Sequence, residues 1–303
     1  MRTSRRRSSV AVTAVVTALL GTVTLTACDT TTGEAPARSA SASGEPAPRL
    51  TVRWNTSPRS VAAVGDSITR GFDACAVLAD CPKVSWATGS APDVRSLTVR
   101  LLGRRGAVGH GWNHAVTGAR MADLPGQLRK AAAHRPELVT VMIGANDACR
   151  DSAARMTSVA AFRAGFEKSL RTLRDRLPKV QVYVASVPNL KRLWAQGRTS
   201  ALGKRIWRLG HLCPSMLRDA DAQGAKAERR RARVQARVVA YNKVLKDVCA
   251  KDVLCRYDGG AVFNYRFTTA QLSHWDWFHP SRDGQARLAE IAYRRVTAPK
   301  ALS

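Results

Sequence analysis

The sequence predicts an α/β fold in which a central parallel sheet lies between two layers of helices. Short apolar runs alternate along the chain with segments of helical periodicity, which is the order that parallel strands and their crossover helices produce. The run at residues 138–143 is apolar except for Thr140, as expected of a strand covered on both faces. About 245 residues follow the N-terminal region, which suits one sizeable domain better than two small ones.

The predicted elements follow one another in a regular order. The expected strands are the short apolar runs at residues 60–64, 113–116, 138–143, 180–187 and 252–256. The expected helices are the longer segments at residues 92–102, 121–134, 159–177, 228–248 and 282–296. Pro125 is expected in the first turn of its helix, where proline is tolerated. Residues 189–227 are predicted to be an irregular excursion, and their basic character extends to residue 237.

The first 27 residues have the pattern of a secretory signal. Four arginines lie within the first seven residues, an uncharged stretch covers residues 10–25, and small residues precede Cys28. Leu25-Thr26-Ala27 before Cys28 resembles a bacterial lipobox, which predicts an exported protein lipidated at Cys28 and held to a membrane. The alternative is an ordinary signal, a secreted protein and an incidental cysteine.

Residues 28–57 are predicted to form a flexible tether, and the folded domain is predicted to cover residues 58–303. Residues 29–50 of this segment are rich in Thr, Ala, Ser, Pro and Gly and almost free of bulky apolar residues, a composition that buries too little apolar surface to offset its ordering entropy. No later apolar run reaches the ~18 residues expected of a membrane span.

Six further cysteines fit an oxidising compartment. They are Cys75, Cys81, Cys149, Cys213, Cys249 and Cys255. Six cysteines allow 15 sets of three pairs. Two short spacings favour Cys75–Cys81 and Cys249–Cys255, which leaves Cys149–Cys213. A zinc site is the alternative, and it is disfavoured because the chain has no C-x2-C pair.

The formal net charge of +27 is unusually high. Such a charge attracts polyanions, and an exported protein would meet anionic lipid headgroups or acidic cell-wall polymers. The sequence contains no recognisable nucleic-acid-binding module, so specific nucleic-acid binding is not expected. A solvated basic surface without a partner is the alternative.

Polar residues follow three of the predicted strands. Ser67, Gly118 and Asn146 each come just after a strand, so the fold predicts that they meet at the carboxyl edge of the sheet. A serine is a nucleophile only when a base takes its proton, and His279 is the candidate base. Asp276, three residues earlier, can hold the other ring nitrogen. Each motif alone also fits a helix cap or a turn, but their combination favours ester hydrolysis.

Four short blocks in this order resemble those of the SGNH (GDSL-type) hydrolase family. The blocks are Gly-Asp-Ser at 65–67, the segment 113–119, Gly-Ala-Asn-Asp at 144–147 and Asp-Trp-Phe-His-Pro at 276–280. The resemblance implies a three-layer flavodoxin-like α/β/α fold and an esterase without metal or cofactor. It also implies that Ser67 is the nucleophile, that His279 is the base oriented by Asp276, and that the amides of Ser67 and Gly118 form the oxyanion hole with Asn146.

Three functions remain open on the sequence. The leading hypothesis is an exported serine esterase or lipase that cleaves acyl esters through an acyl-enzyme. Its substrate is a lipid or another simple acyl ester, or, in the alternative, an acetylated glycan. The third hypothesis is a non-catalytic lipoprotein that binds a polyanion. Four tryptophans are candidates for an acyl or sugar platform, with core packing as the alternative: Trp194, Trp207, Trp275 and Trp277.

Overall fold

A computed structural model describes residues 53–301 of the chain. The predicted signal, Cys28 and the tether up to residue 52 lie outside the described residues. Five strands form one all-parallel sheet in the order β2-β1-β3-β4-β5, flanked by helices. The strands are β1 Val61–Gly65, β2 Gly111–Asn113, β3 Leu138–Met142, β4 Gln181–Val184 and β5 Cys255–Tyr257. The α/β class and the parallel sheet predicted from the sequence are therefore confirmed.

The three central strands are buried along their whole length. Burial on both faces explains why β1 and β3 are mainly apolar along their length, with Thr140 the one polar side chain, rather than alternating. In the register of β1 and β3, Gly65 lies opposite Met142, so both strands end at the same level. The residues that follow these two strands therefore emerge side by side at the carboxyl edge of the sheet.

The described residues contain eleven α-helices. They are α1 Ser67–Arg70, α2 Leu97–Ala107, α3 Leu124–Ala132, α4 Ala145–Ala148, α5 Val159–Arg176, α6 Leu190–Gly197, α7 Ala201–Leu209, α8 Pro214–Leu217, α9 Ala225–Cys249, α10 Ala261–Asn264 and α11 Arg282–Thr297. α5 contacts both α3 and α9, while α2 packs on α11. Among the described residues, no helix is both long enough and apolar enough to span a membrane.

The prediction that residues 189–227 are irregular is wrong, because this segment contains α6, α7 and α8. The side chains of Asn189 and Ser200 cap the first two of these helices, accepting hydrogen bonds from the amides of Arg192 and Gly203 at 3.0 Å each. The three helices are only 8, 9 and 4 residues long, shorter than the ~11–18 residues over which helical periodicity is read from a sequence. We refer to residues 189–227 as the helical excursion.

Element boundaries differ from the predictions in two places that matter for the site. β2 lies at residues 111–113 rather than 113–116, so the turn that contains Gly118 begins further beyond the strand end than predicted. α2 begins at Leu97 rather than at residue 92, and non-helical backbone at Gly103 interrupts it.

The structure contains three disulfides, Cys75–Cys81, Cys149–Cys213 and Cys249–Cys255, the same pairs that the spacing favours.

Candidate active site

Ser67 stands at the first position of α1, directly beyond β1. The turn between them depends on Gly65, whose φ is +148° and where a Cβ would lie 2.2 Å from the carbonyl oxygen of Met142. Asp66 caps α1 by accepting a hydrogen bond from the amide of Ile68 at 3.0 Å. The tight turn thus presents Ser67 at the edge of the sheet, where only 5% of its surface is exposed.

His279 lies beside Ser67 although 212 residues separate them in sequence. The distance between Ser67 Oγ and His279 Nε2 is 2.9 Å. On the other side of the ring, His279 Nδ1 is hydrogen-bonded to Asp276 Oδ2. The second carboxylate oxygen of Asp276 accepts from the backbone amides of Phe278 and His279, both at 2.9 Å. The carboxylate therefore holds both the imidazole ring and the backbone that carries it.

Burial and charge act in opposite directions on the pKa values of His279 and Asp276. Burial lowers the pKa of His279, but the adjacent Asp276 outweighs it and raises the pKa above the usual value of 6.5. Burial raises the pKa of Asp276, and the charge and hydrogen bond of His279 outweigh it, so this pKa lies below its usual range. The two groups thus favour an ionised carboxylate at Asp276 and an imidazole at His279 that is more basic than usual.

Asn146 lies in α4, which follows β3 through Gly144. Gly144 has a φ of +123°, and a Cβ there would be 2.8 Å from the side chain of Val187. The side-chain amide of Asn146 donates to the carbonyl of Ala119 at 3.1 Å. Gly118, one residue earlier, occupies an exposed turn with a φ of +81°. Asn146 is thereby tied to the turn that carries Gly118, another predicted oxyanion donor.

A cavity of about 200 Å³ opens beside Ser67. Ser67, Asn146 and His279 line it, whereas Gly118 and Asp276 are not lining residues. Much of the remaining wall is apolar and comes from Leu190, Leu193, Leu212 and Phe278. Both cysteines of the Cys149–Cys213 disulfide also line it, so this bond joins the end of α4 to the helical excursion.

A family model described as GDSL-like lipase/acylhydrolase matches residues 61–292 of the sequence. The chain belongs to this family. The resemblance drawn from the four sequence blocks is therefore confirmed, and the chain is a hydrolase that acts on ester bonds. No curated protein matches the sequence.

Solved structures that resemble this GDSL-like hydrolase include three esterases or lipases. An acetylxylan esterase from Geobacillus stearothermophilus is 17% identical, covers 80% of this chain and 96% of its own, and has a TM-score of 0.48. A family 3 carbohydrate esterase from Clostridium thermocellum is 16% identical, with coverages of 78% and 93% and a TM-score of 0.44. An extracellular lipase from Streptomyces rimosus is 18% identical, with coverages of 77% and 99% and a TM-score of 0.41.

Sequence reasoning missed several residues that shape the site of this GDSL-like hydrolase. The apolar wall comes mainly from the helical excursion, and only its three-dimensional course reveals that role. Two of the four tryptophans pack against other parts of the protein. The centroid of the Trp194 ring lies 4.1 Å from the guanidinium carbon of Arg231, and Trp207 is only 3% exposed. Asp73 was also not among the residues predicted for the site. Its position six residues after Ser67 is the signal by which the sequence indicates that it lies close to the site.

Within residues 53–301, one group of side chains has the ligand types and spacing for a metal ion. It consists of Asp73, Asp276 and His279, whose candidate ligand atoms lie within 4.8 Å of one another. In this GDSL-like hydrolase, however, His279 Nδ1 is already hydrogen-bonded to Asp276, and Nε2 lies beside Ser67. A metal ion would have to displace one of these contacts.

Proposed function

We propose that this hydrolase cleaves carboxylic esters with Ser67 as nucleophile, His279 as general base and Asp276 as the residue that orients the base. The continuous series of contacts from Ser67 Oγ through both nitrogens of His279 to Asp276 Oδ2 carries the proposal. A serine with a base at 2.9 Å, and a base oriented by a third group, is the arrangement required for nucleophilic catalysis. The same constellation has no purpose in a protein that only binds polyanions.

The reaction proceeds in two steps. As Ser67 Oγ attacks the ester carbonyl, His279 Nε2 takes the hydroxyl proton, and the carbonyl oxygen becomes an oxyanion. When the ester C–O bond breaks, His279 returns the proton to the departing alkoxide, which leaves an acyl group on Ser67. Water then attacks this acyl-enzyme with His279 again acting as base, which releases the carboxylic acid and restores the serine.

The oxyanion is stabilised by Asn146 together with the amides of Ser67 and Gly118. A primary amide has two N–H donors, and within residues 53–301 Asn146 donates only to the carbonyl of Ala119, which leaves the second N–H for the substrate. The amide of Ser67 belongs to the first turn of α1, where N–H groups point away from the helix. A donor of this kind contributes roughly 3–4 kcal/mol to transition-state stabilisation.

The cavity favours a short acyl group such as acetyl. Its volume of about 200 Å³ lies below the ~300–1,000 Å³ typical of pockets that enclose drug-sized ligands. A small acyl pocket fits an acetylated glycan better than a long-chain lipid, which reverses the slight preference drawn from the sequence.

Lipid esters remain the second candidate because of the surface of α7. Leu202 and Leu209 of this helix are 56% and 79% exposed, and the exposed Arg205 and Arg208 lie between them. Residues 210–213, which follow α7 directly, line the cavity. An apolar and basic surface at the cavity mouth is suited to an anionic lipid interface.

Hydrolysis of p-nitrophenyl acetate, butyrate and palmitate by the full chain tests both parts of the proposal. Ser67→Ala and His279→Ala should each lower kcat by at least ~10³-fold. Exposed residues of the same types, in Ser90→Ala and His274→Ala, provide matched controls that should retain activity. Acetate hydrolysed faster than palmitate supports the short acyl group, and the reverse order supports a lipid substrate. Activity retained in Ser67→Ala would refute the mechanism.

We also propose that the protein is exported from the cytosol. The three disulfides support an oxidising compartment, because such bonds rarely persist in the cytosol. Lipidation of Cys28 is a prediction that mass spectrometry of the membrane fraction can test. A mature N-terminus beyond Cys28, or an unmodified Cys28, would refute the lipid anchor and leave a secreted protein.

A further inference from the structure

A second acidic side chain, that of Asp73, lies close to Asp276 and His279. Asp73 is 2% exposed, and a carboxylate oxygen of this residue lies within 4.8 Å of ligand atoms of both Asp276 and His279. It stands on the loop after α1, and this loop is closed by the Cys75–Cys81 disulfide. The mechanism proposed above assigns Asp73 no role.

The loop fixes Asp73 in place through its backbone and its side chain. The Asp73 amide donates to the carbonyl of Ala79 at 3.0 Å, and the amide of Leu78 donates to Asp73 Oδ1 at 2.5 Å. The carbonyl of Asp73 accepts a hydrogen bond from Ser273 Oγ at 2.5 Å. Ser273 begins the segment that leads to Asp276 and His279, so Asp73 is tied directly to the loop that carries the base.

Two buried carboxyl groups in contact do not both ionise freely, because their charges repel in a medium of low polarity. Asp276 accepts from the amides of Phe278 and His279 and from the imidazole, whereas Asp73 Oδ1 accepts from a single amide, that of Leu78. Hydrogen bonds to the ionised form stabilise it, so Asp276 keeps the negative charge and a shared proton resides on Asp73.

We propose that Asp73 is a positioning residue for the catalytic pair: its protonated carboxyl donates a hydrogen bond to Asp276, and its ionised form places a second negative charge beside His279. This inference rests on the proposed function of His279 as the base. The charges of three carboxyl groups act on the imidazole, namely Asp276 in direct contact, Asp73 and Asp66. Asp73 is the one among them that also contacts Asp276.

The pKa values of Asp73 and His279 agree with this geometry. Burial and the neighbouring Asp276 raise the pKa of Asp73 to about 6, while His279 acts in the opposite direction. Above that pH, the charge on Asp73 raises the pKa of His279. Removing the charge while keeping the hydrogen bonds should therefore make His279 a weaker base.

Asp73→Asn is the informative variant. Asparagine keeps an acceptor for Leu78 and a donor for Asp276, and it tolerates the left-handed φ of 55° at this position. We expect the acid limb of the kcat/KM profile for p-nitrophenyl acetate to move about 0.5–1 pH unit lower. Asp93→Asn removes an exposed carboxylate that pairs with Arg282 and should leave the limb in place. An unmoved limb in Asp73→Asn would overturn the inference.

Nuclear magnetic resonance tests the same inference without any catalytic activity. In a Ser67→Ala background, the ring of His279 should titrate at a lower pH when Asp73→Asn is added. In the Ser67→Ala chain alone, the side-chain carboxyl carbon of Asp73 should titrate near pH 6, and the His279 ring should report the same transition. A carboxyl that titrates below pH 5 would refute the shared proton even if Asp73→Asn does not fold. If both titrations were present but the chain with Ser67 intact hydrolysed no ester, the result would count against the proposed function alone.

Discussion

The indole N–H of Trp207 donates a hydrogen bond to the backbone carbonyl of Asp276 at 2.7 Å. Trp207 belongs to α7, so the helical excursion supports the loop that carries the proposed base and its carboxylate. Glycines permit this close approach. A Cβ on Gly197 would lie 2.2 Å from the carbonyl oxygen of Trp277, and one on Gly203 would lie 3.1 Å from its side chain. The excursion therefore takes part in positioning the site.

Replacing Trp207 by phenylalanine should impair catalysis more than folding. The variant keeps an aromatic ring but removes the indole donor to the carbonyl of Asp276, a hydrogen bond that contributes about 1 kcal/mol to the folded state, and the less firmly held loop should lower kcat/KM by up to roughly fivefold. Steady-state kinetics should show the change in kcat rather than in KM. Trp194→Phe is the matched control, because its indole donates to the carbonyl of Ala220 in the same excursion. An equal loss in both variants would indicate general loosening of the excursion.

The acid limb of the kcat/KM profile should lie above pH 6.5. His279 acts as a base only when neutral, and Asp276 outweighs burial to raise its pKa above that value, so activity falls as the pH drops through the raised pKa. In Asp276→Asn, the limb should move below pH 6.5, and kcat should fall about 10³–10⁴-fold. Asp175→Asn, which removes an exposed carboxylate of α5, should change neither quantity. A wild-type limb below pH 6.5 would contradict the prediction.

The Cys149–Cys213 disulfide should contribute to both stability and acyl selectivity. It spans 64 residues of sequence and lines the cavity, so replacing both cysteines by alanine should cost about 4 kcal/mol and enlarge the acyl site. Urea unfolding and the ratio of acetate to butyrate hydrolysis measure the two effects. Replacing both Cys249 and Cys255, separated by 6 residues, should cost about 2 kcal/mol and leave the ratio unchanged. An unchanged ratio in the first variant would show that the disulfide does not shape the acyl site.

Asp66→Asn should stabilise the protein at alkaline pH. Burial raises the pKa of Asp66 from 3.8 to about 7, and among the described residues its Oδ2 is buried without a hydrogen-bond partner. The folded state therefore holds this proton more tightly than the unfolded state, and stability falls as the pH rises from 3.8 to 7. Asparagine avoids that loss, which is on the order of 4 kcal/mol. In urea unfolding at pH 8, the free energy of unfolding should be higher for Asp66→Asn than for the wild type, and this difference should be absent near pH 4. If the two proteins differed equally at both pH values, ionisation of Asp66 would not be the cause.

The sequence by itself predicted the parallel sheet and the residues that meet at its edge. Strands such as Val61–Gly65 and Leu138–Met142 are mainly apolar because both faces are buried, and this signal is local. Parallel strands end at one edge, so residues that directly follow them, such as Ser67 and Asn146, can be placed together from their positions alone. The motif around His279 was recognisable by its order and spacing.

Only the tertiary structure decided what surrounds these residues. The bond from Trp207 to Asp276 joins residues 69 positions apart, and Ser273 reaches Asp73 across 200 positions. Such contacts depend on how the helical excursion and the loop after α1 pack against the loop of His279, and no local periodicity encodes that packing. The small cavity beside Ser67 and the second buried carboxyl group are consequences of it, because both arise where segments distant in sequence exclude water from a shared space.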